Sequence, residues 1–447
     1  MEKTKLLRKA TSIFGLKLIG TFLLLCTSIL MNRLVGFEEF GHYVFVMGFV
    51  NLLVVLVCFG GDTYLKRAVA TSSTDGCDTL NSSVATILAI VKQLVVLWVV
   101  SLIFIGVFFN FSFDQKDEFL SISIVLTSLL VLGLSLAKLV TGVLIGFSMP
   151  VHDAAISSFF KPVLSIVTIM IPLAIFGGDL GLTYRALLGV QVVAVVGTIC
   201  LAVSLLMNQM GLTRNGEKNS LVNVERAESD GFTVLMRHCF PLALVSSAVV
   251  LERNIDILML GYLDSSDSSA LYFVCTRISA LFLLPLFVLN SIVTPVIARS
   301  YKNRNFTVVE KDARKVSRLA SSFSMIVIIF TALVGDKILG LFGEEYVSAF
   351  VPMMLLCVGN LIRTLIGPAQ MVAIMFDMDK EVSRINIFSL FLNICLNMLL
   401  IPFFGIFGAV YATVISRLWR SSFLALKLHQ SHSVRVGYLF PKWFLEK

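Results

Sequence analysis

The chain has 447 residues, of which 57% are hydrophobic and only 14% charged, and its mean hydropathy is +0.91. A soluble globular protein carries about 25% charged residues, so this composition excludes both an aqueous globular chain and a disordered one. The net charge of +8, from 36 Lys+Arg against 28 Asp+Glu, does not point to nucleic acid, because excess cations in so apolar a chain are expected mainly in cytoplasmic loops.

Lys3, Lys5, Arg8 and Lys9 precede a first apolar run that Arg33 closes. No small-residue cleavage site follows it, so we read a retained helix and no signal peptide. Apolar windows of about 19 residues place spans near 10–34, 41–61, 83–108, 119–147, 153–176 and 183–208. A polar stretch follows. Six further spans lie near 238–262, 270–298, 317–342, 350–376, 384–402 and 406–427. The fold class is therefore an all-α integral membrane protein with 12 transmembrane helices. Its expected parts are an N-terminal lobe over 1–208, a cytoplasmic linker over 209–237, a C-terminal lobe over 238–427 and a cytoplasmic tail over 428–447. With the N-terminus inside, the inside segments hold 23 Lys+Arg and the outside loops 4, which puts both termini in the cytoplasm.

The two halves look duplicated. Ile29-Leu30-Met31 and Tyr43 recur as Ile257-Leu258-Met259 and Tyr272, at offsets of 228 and 229. Pro172 and Tyr184 recur as Pro402 and Tyr411, at 230 and 227, and Leu144–Phe147 lies 229 before Ala373–Phe376. Each repeat has six spans, so both copies have the same orientation. They are expected to be related by an axis along the membrane normal, with a site near the midplane.

Nine cations lie well inside the apolar spans, away from their ends: Lys17, Lys92, Lys138, Lys161, Arg253, Arg277, Arg363, Arg417 and Arg420. A charge at the bilayer centre costs about 2.5–3.5 kcal/mol even on the lenient insertion scale, so most must face a wet interior. Lys17, Lys92, Lys138 and Lys161 are expected in one layer of the N-terminal half, Arg277 on the outer side, and Arg363 and Arg417 near mid-span. Snorkelling is the alternative for each, most of all for Lys17 and Arg420. We take Lys17, Lys92, Lys138, Lys161, Arg277, Arg363 and Arg417 as the candidate lining of a cavity that attracts anions such as phosphates. Glu252 and Asp256, four residues apart on one helix face, are candidates for carrying a coupling proton. Neutralising Arg253 and Arg277 is their structural alternative.

The five histidines lack metal-ligand spacing and no C-x-x-C pair occurs among the eight cysteines, so neither a metal site nor a cofactor is expected. No P-loop, G-x-S-x-G elbow or nucleophile–base set is present, so catalysis has no visible seat and the chain is not read as an enzyme.

Leu6-Leu7-Arg8-Lys9 with Phe14-Gly15, then Asn32-Arg33-Leu34-Val35-Gly36-Phe37-Glu38-Glu39-Phe40-Gly41-His42-Tyr43, resembles the start of Wzx-type flippases of O-antigen and other polysaccharide units. Ile255–Gly261 and Asn397–Ala409 are similar to recurring stretches of the same family. The resemblance covers essentially the whole chain; each motif is loose, and order and spacing carry the specificity. It implies a MATE-like (MOP superfamily) architecture of two six-helix lobes forming a V around a central cavity. It also implies a bacterial inner-membrane transporter that moves undecaprenyl-diphosphate-linked oligosaccharide, an O-antigen or capsule repeat unit, from the cytoplasmic to the periplasmic leaflet by alternating access. The lipid bilayer, the polysaccharide polymerase and the chain-length machinery are its implied partners. Three other readings stand beside it. They are a proton- or sodium-coupled multidrug exporter of the same fold, a membrane-embedded glycan polymerase or transferase, and a structural scaffold.

Overall fold

The computed structural model of the chain describes residues 2–72, 78–112, 120–147, 149–176, 183–214, 248 and 250–438. Every regular element among the described residues is helical. In order they are α1 (Glu2–Val35), α2 (Phe37–Cys58), α3 (Gly61–Ser72), α4 (Asp78–Ser112), α5 (Leu120–Gly146) and α6 (Pro150–Ala154), which runs through a π turn (Ala155–Phe160) into α7 (Lys161–Phe176). Then come α8 (Tyr184–Arg214) and α9 (250–263). α10 (Ser266–Ala280) passes through a 3-10 turn into α11 (Leu284–Lys302), followed by α12 (Phe306–Gly340), α13 (Phe350–Ile366), α14 (Ala369–Met375), α15 (Asp379–Phe404) and α16 (Ile406–His432).

Each expected span falls on one helix or on two consecutive ones, the seventh being described from residue 248 onward. Nine helices among the described residues are long and apolar enough to cross a membrane. Their outward faces confirm the solvent: Ile103, Phe111, Leu333 and Phe403 are 69–79% exposed, a burden of apolar surface that water does not tolerate and lipid does. Hydroxyls within these helices are satisfied locally. Thr27, Ser28 and Thr168 donate to the carbonyls of Leu23, Leu24 and Leu164 at 2.7–2.9 Å, as the absence of water in a bilayer demands.

The chain divides into two compact units, and the division passes through α1, α2 and α9. The N-unit holds Gly15–Val35 and Val46–Asn254; the C-unit holds Gly36–Phe45 and the chain from Ile255 onward, with the residues up to Phe14. Of the expected linker, residues 209–214 prolong α8 and 215–237 lie outside the described residues. Of the expected tail, 428–432 finish α16, 433–438 are described and 439–447 are not.

Within the N-unit, α2 stops where Phe59 and Gly60 take positive φ, and α3 folds back along α5. It seats on two small residues one turn apart, Gly142 and Gly146. A Cβ on the first would stand 2.9 Å from Asp62 O, and on the second 2.6 Å from Val69 Cβ. Such close backbone approach is what small residues four apart permit between membrane helices. The π turn has its cause in Pro162, which supplies no N–H to the carbonyl of Ser158 and crowds it. The freed oxygen points at α1, where a Cβ on Gly20 would collide with it.

Within the C-unit, Phe404 and Ile406 are separated by Gly405 alone, whose φ of +52° lets α15 and α16 turn back on each other with no loop. The start of α2 packs on α10 and on the turn before α13. Gly41 faces the Ser266 carbonyl, Phe40 meets Phe273 edge-on at 6.0 Å, and Phe37 meets Tyr346 at 5.1 Å.

Candidate functional site

Among the described residues of the C-unit, the most buried charge is Asp256 on α9, 0% exposed. Three side chains from three other helices close on it. Tyr272 of α10 and Thr413 of α16 each lie 2.6 Å from Oδ2, and Asn397 of α15 donates its amide to Oδ1 at 2.7 Å. The two hydroxyls are also 2.7 Å from each other. One turn before Asn397, Asn393 accepts from the same amide at 3.2 Å. Asn397 Oδ1 and Asn393 Nδ2 find no partner among the described residues, so the cluster keeps spare acceptor and donor capacity. All four partners are at most 1% exposed. A buried carboxylate requires such company, and this one joins four helices through it. Ser269 adds a fifth tie, donating to Ile257 O at 2.8 Å and locking α10 to α9.

Three arginines lie farther along helices of the same unit. Arg417 follows Thr413 by one turn on the same face of α16 and acts electrostatically on Tyr272. Gly359 of α13 packs on Val414 of α16, and Asn360 donates to Ser279 O of α10 at 3.0 Å. Counting along α13 and α16 from the Gly359–Val414 contact, Arg363 and Arg417 stand within about 2 Å of each other in height, at 1.5 Å per residue, and Arg277 follows Tyr272 by five residues on α10. All three are partly buried, and Arg277 also covers the Phe273 ring at 4.7 Å. Arg420, one turn below Ser416, is the most enclosed at 6% exposed.

The N-unit orders its lysines similarly. Gly133 of α5 meets Val195 of α8, and Leu164 of α7 meets Gly197 of α8. Counting along the helices from these contacts, Lys138 and Lys161 both come level with residue 200. Ile90 and Leu139 meet across Gly61, which puts Lys92 at the same height. Lys17 stands about 9 Å away, as the Gly20–Ser158 contact fixes α1 against α7. Lys138 and Lys161 are partly buried; Lys17 and Lys92 are exposed. Glu252 is 4% exposed and belongs to this unit, whereas Asp256, one turn later, belongs to the C-unit.

Two features escaped the sequence. Lys66, between the expected second and third spans, lies on α3 in an ion pair with Asp62 at 3.1 Å, and both Lys66 and Lys17 act electrostatically on Asp153. The partners of Asp256 were also missed, although Asn393 and Asn397 gave a signal, being two amides one turn apart in an otherwise apolar run. Among the described residues, no group of His, Cys, Asp and Glu is arranged to hold a metal ion.

Solved membrane transporters share this all-helical fold. A multidrug resistance MATE family transporter of the MOP superfamily, in its inward-facing conformation, superposes on 95% of this chain and 98% of its own with a TM-score of 0.72 at 15% identity. A MOP superfamily transporter from Pyrococcus furiosus, for which a reversed polarity of the binding pocket suggests a different function, does so over 96% and 95% with a TM-score of 0.66 at 15% identity. The sequence profile of polysaccharide biosynthesis proteins matches residues 6–301, and this chain belongs to that family; the MatE profile matches 241–403. A probable flippase of Haloferax volcanii, AglR, is 29% identical over 168 residues, 36% of this chain and 35% of that protein. The chain thus aligns with about a third of that curated relative. The resemblance read from the sequence is borne out in family, polysaccharide biosynthesis proteins, and in fold, MATE-like.

Proposed function

We propose that the chain is a flippase of the bacterial inner membrane, with both termini in the cytoplasm, that carries undecaprenyl-diphosphate-linked oligosaccharide from the cytoplasmic to the periplasmic leaflet by alternating access. The observation that carries this reading is the common height of Arg363 and Arg417 in the C-unit, with Arg277 on α10 of the same unit, in a polysaccharide biosynthesis protein. A diphosphate is a dense double anion. Guanidinium forks bind it bidentately, and sites withdrawn from bulk water strengthen each contact. Lys92, Lys138 and Lys161, level within the N-unit, offer a second set of cations to phosphate or to acidic sugars, with Lys17 nearer the start of α1. The lipid tail needs no pocket, because it stays in the bilayer while the headgroup crosses. The cargo is an O-antigen or capsule unit, and its delivery to the polymerase and chain-length machinery makes these the partners downstream. The chain makes and breaks no covalent bond in this scheme.

Coupling falls to Asp256. A proton passing through the hydroxyls of Tyr272 and Thr413 changes the charge of the one carboxylate that ties α9, α10, α15 and α16 together, and so alters the packing of the unit that holds the arginines.

The second reading is a multidrug exporter, favoured by the MATE fold and by the MatE match over 241–403. An exporter of cationic drugs needs an acidic cavity, and the intramembrane cations here outnumber the acids. The deciding experiment deletes the gene and compares surface polysaccharide on a gel with sensitivity to a panel of cationic drugs. Loss of long-chain glycan, restored by a plasmid copy while drug sensitivity stays unchanged, supports the flippase. Intact glycan with new drug sensitivity rejects it.

A further inference from the structure

The segment after α16 closes on a break in another helix. α13 ends at Gly367, whose φ is +93°, and Pro368 follows. Pro368 has no N–H for the carbonyl of Thr364, and the N–H of Ala369 turns to Gly367 O at 2.9 Å, away from Leu365 O. Two helix carbonyls are thus left over, and in or beside a bilayer such groups must be satisfied. The Ser317 hydroxyl of α12 donates to Thr364 O at 2.8 Å and reaches Leu365 O only at 3.3 Å. The backbone N–H of Tyr438 donates to Leu365 O at 2.9 Å.

The fit is close on every side. A Cβ on Gly437 would strike Ile366 O, and one on Gly367 would strike Val436 O, so two glycines meet backbone to backbone. Val434 and Val436 are 0% and 2% exposed and sit in one apolar cluster with Ile297, Val309, Ile366 and Val372. The Tyr438 hydroxyl accepts from Arg318 Nε at 2.9 Å. The turn pinned in this way carries Arg363, whose own carbonyl accepts from Gly367 N at 3.2 Å.

We propose that residues 433–438 are a fixed staple which, through Gly437 and Tyr438, holds the Gly367–Pro368 break and thereby orients Arg363 for the diphosphate; the second half of this rests on the flippase reading. Gly437 and Tyr438 are positioning residues. They act through Arg363 and touch no substrate.

The experiment uses the full chain in its own membrane, with two readouts at matched protein level. One is surface glycan in a deletion strain. The other is maleimide labelling of a thiol introduced by Ile366→Cys, against the same chain without it. Gly437→Ala is expected to raise labelling roughly ten-fold, since a methyl forced against backbone opens the contact, and to lower glycan to the level of Arg363→Ala. The double variant Gly437→Ala/Arg363→Ala is expected to lose no more than Arg363→Ala alone. Unchanged labelling overturns the staple, and additive losses overturn its action through Arg363. If Arg363→Ala leaves glycan intact, the flippase reading of that arginine fails, while labelling still decides the staple. Should Gly437→Ala not accumulate, Arg318→Cys/Tyr438→Cys joined by a short bismaleimide replaces it. Glycan export that survives the cross-link supports a staple closed throughout the cycle, and export blocked by it overturns the proposal.

Discussion

Asn397 donates its amide to Asp256 Oδ1 at 2.7 Å across 141 residues of sequence, with both side chains 0% exposed. This single contact ties α15 to α9 and completes the shell that Tyr272 and Thr413 build on the other oxygen. Asn397→Leu keeps the volume and removes the donor, leaving Oδ1 of a buried carboxylate unmet. A hydrogen bond to a charged group contributes about 1.5–3 kcal/mol, so the variant is expected to lower the apparent melting temperature of the detergent-purified protein by several degrees. The companion Asp256→Asn/Asn397→Leu removes the charge as well and is expected to recover part of that loss. A melting temperature unchanged in Asn397→Leu would show that the contact contributes nothing.

The cations divide by enclosure. Arg363→Ala and Arg417→Ala each delete one of two guanidinium groups held at one height, and each is expected to cut surface glycan at least ten-fold with normal protein levels, the cost of a charge-assisted contact of about 1.5–3 kcal/mol. Arg→Lys at either position retains the charge and loses the fork, so an intermediate level is expected. Lys17→Gln, at an exposed lysine some 9 Å from the N-unit layer, is expected to leave glycan within about two-fold, as loosely held surface charges do. Glycan blots from complemented deletion strains, normalised to immunoblotted protein, rank all five. Equal effects at Lys17 and Arg363 would dissolve the division.

Coupling is tested by transport against pH. In inverted vesicles loaded with a fluorescent lipid-linked sugar, Asp256→Asn is expected to abolish acceleration by an imposed proton gradient while leaving slow, gradient-independent exchange. Tyr272→Phe removes one of the two hydroxyls at 2.6 Å and keeps the ring, so it is expected to slow the driven rate and spare the passive one. A gradient response retained in Asp256→Asn would move coupling elsewhere.

The spans were legible because lipid is a one-dimensional filter. A run of apolar residues long enough to cross it has few other fates, and each of the twelve expected spans finds a helix. The cations and Asp256 were legible for the same reason, as charges where charge is expensive. What periodicity does not carry is which faces meet. Tyr272 stood out as the repeat partner of Tyr43, yet nothing in its spacing tells that its hydroxyl reaches Asp256. The break of α2 at Phe59–Gly60 is hidden because Lys66 and Arg67 fall between the expected spans near 41–61 and 83–108, although Gly142 and Gly146 on α5 are the seat that α3 needs. The two halves have also drifted. The repeat offset places Ser28 opposite Asp256, and Ser28 bonds its own helix at Leu24 O, so only the second copy has a buried carboxylate at this position.

The α1–α7 contact offers a test of local geometry that needs no transport assay. Gly20 faces the carbonyl of Ser158 so closely that a Cβ would collide with it, and that carbonyl projects because Pro162 leaves it without a helical donor. Gly20→Ala therefore forces backbone against backbone, where nothing can rotate away, and overpacking of this kind costs about 1–3 kcal/mol. Pro162→Ala supplies the missing N–H. The π turn can then close to an ordinary α turn, drawing Ser158 O back along its own helix and away from α1. The two substitutions are expected to couple: the loss of apparent melting temperature from Gly20→Ala should shrink in the Pro162→Ala background, giving a double-mutant interaction term of about 0.5–3 kcal/mol. Both variants are small-residue changes on partly lipid-facing helices, so accumulation in the membrane is expected and fluorescence-detected gel filtration after heating suffices to read them. Strict additivity would mean that the projecting carbonyl is not what Gly20 accommodates.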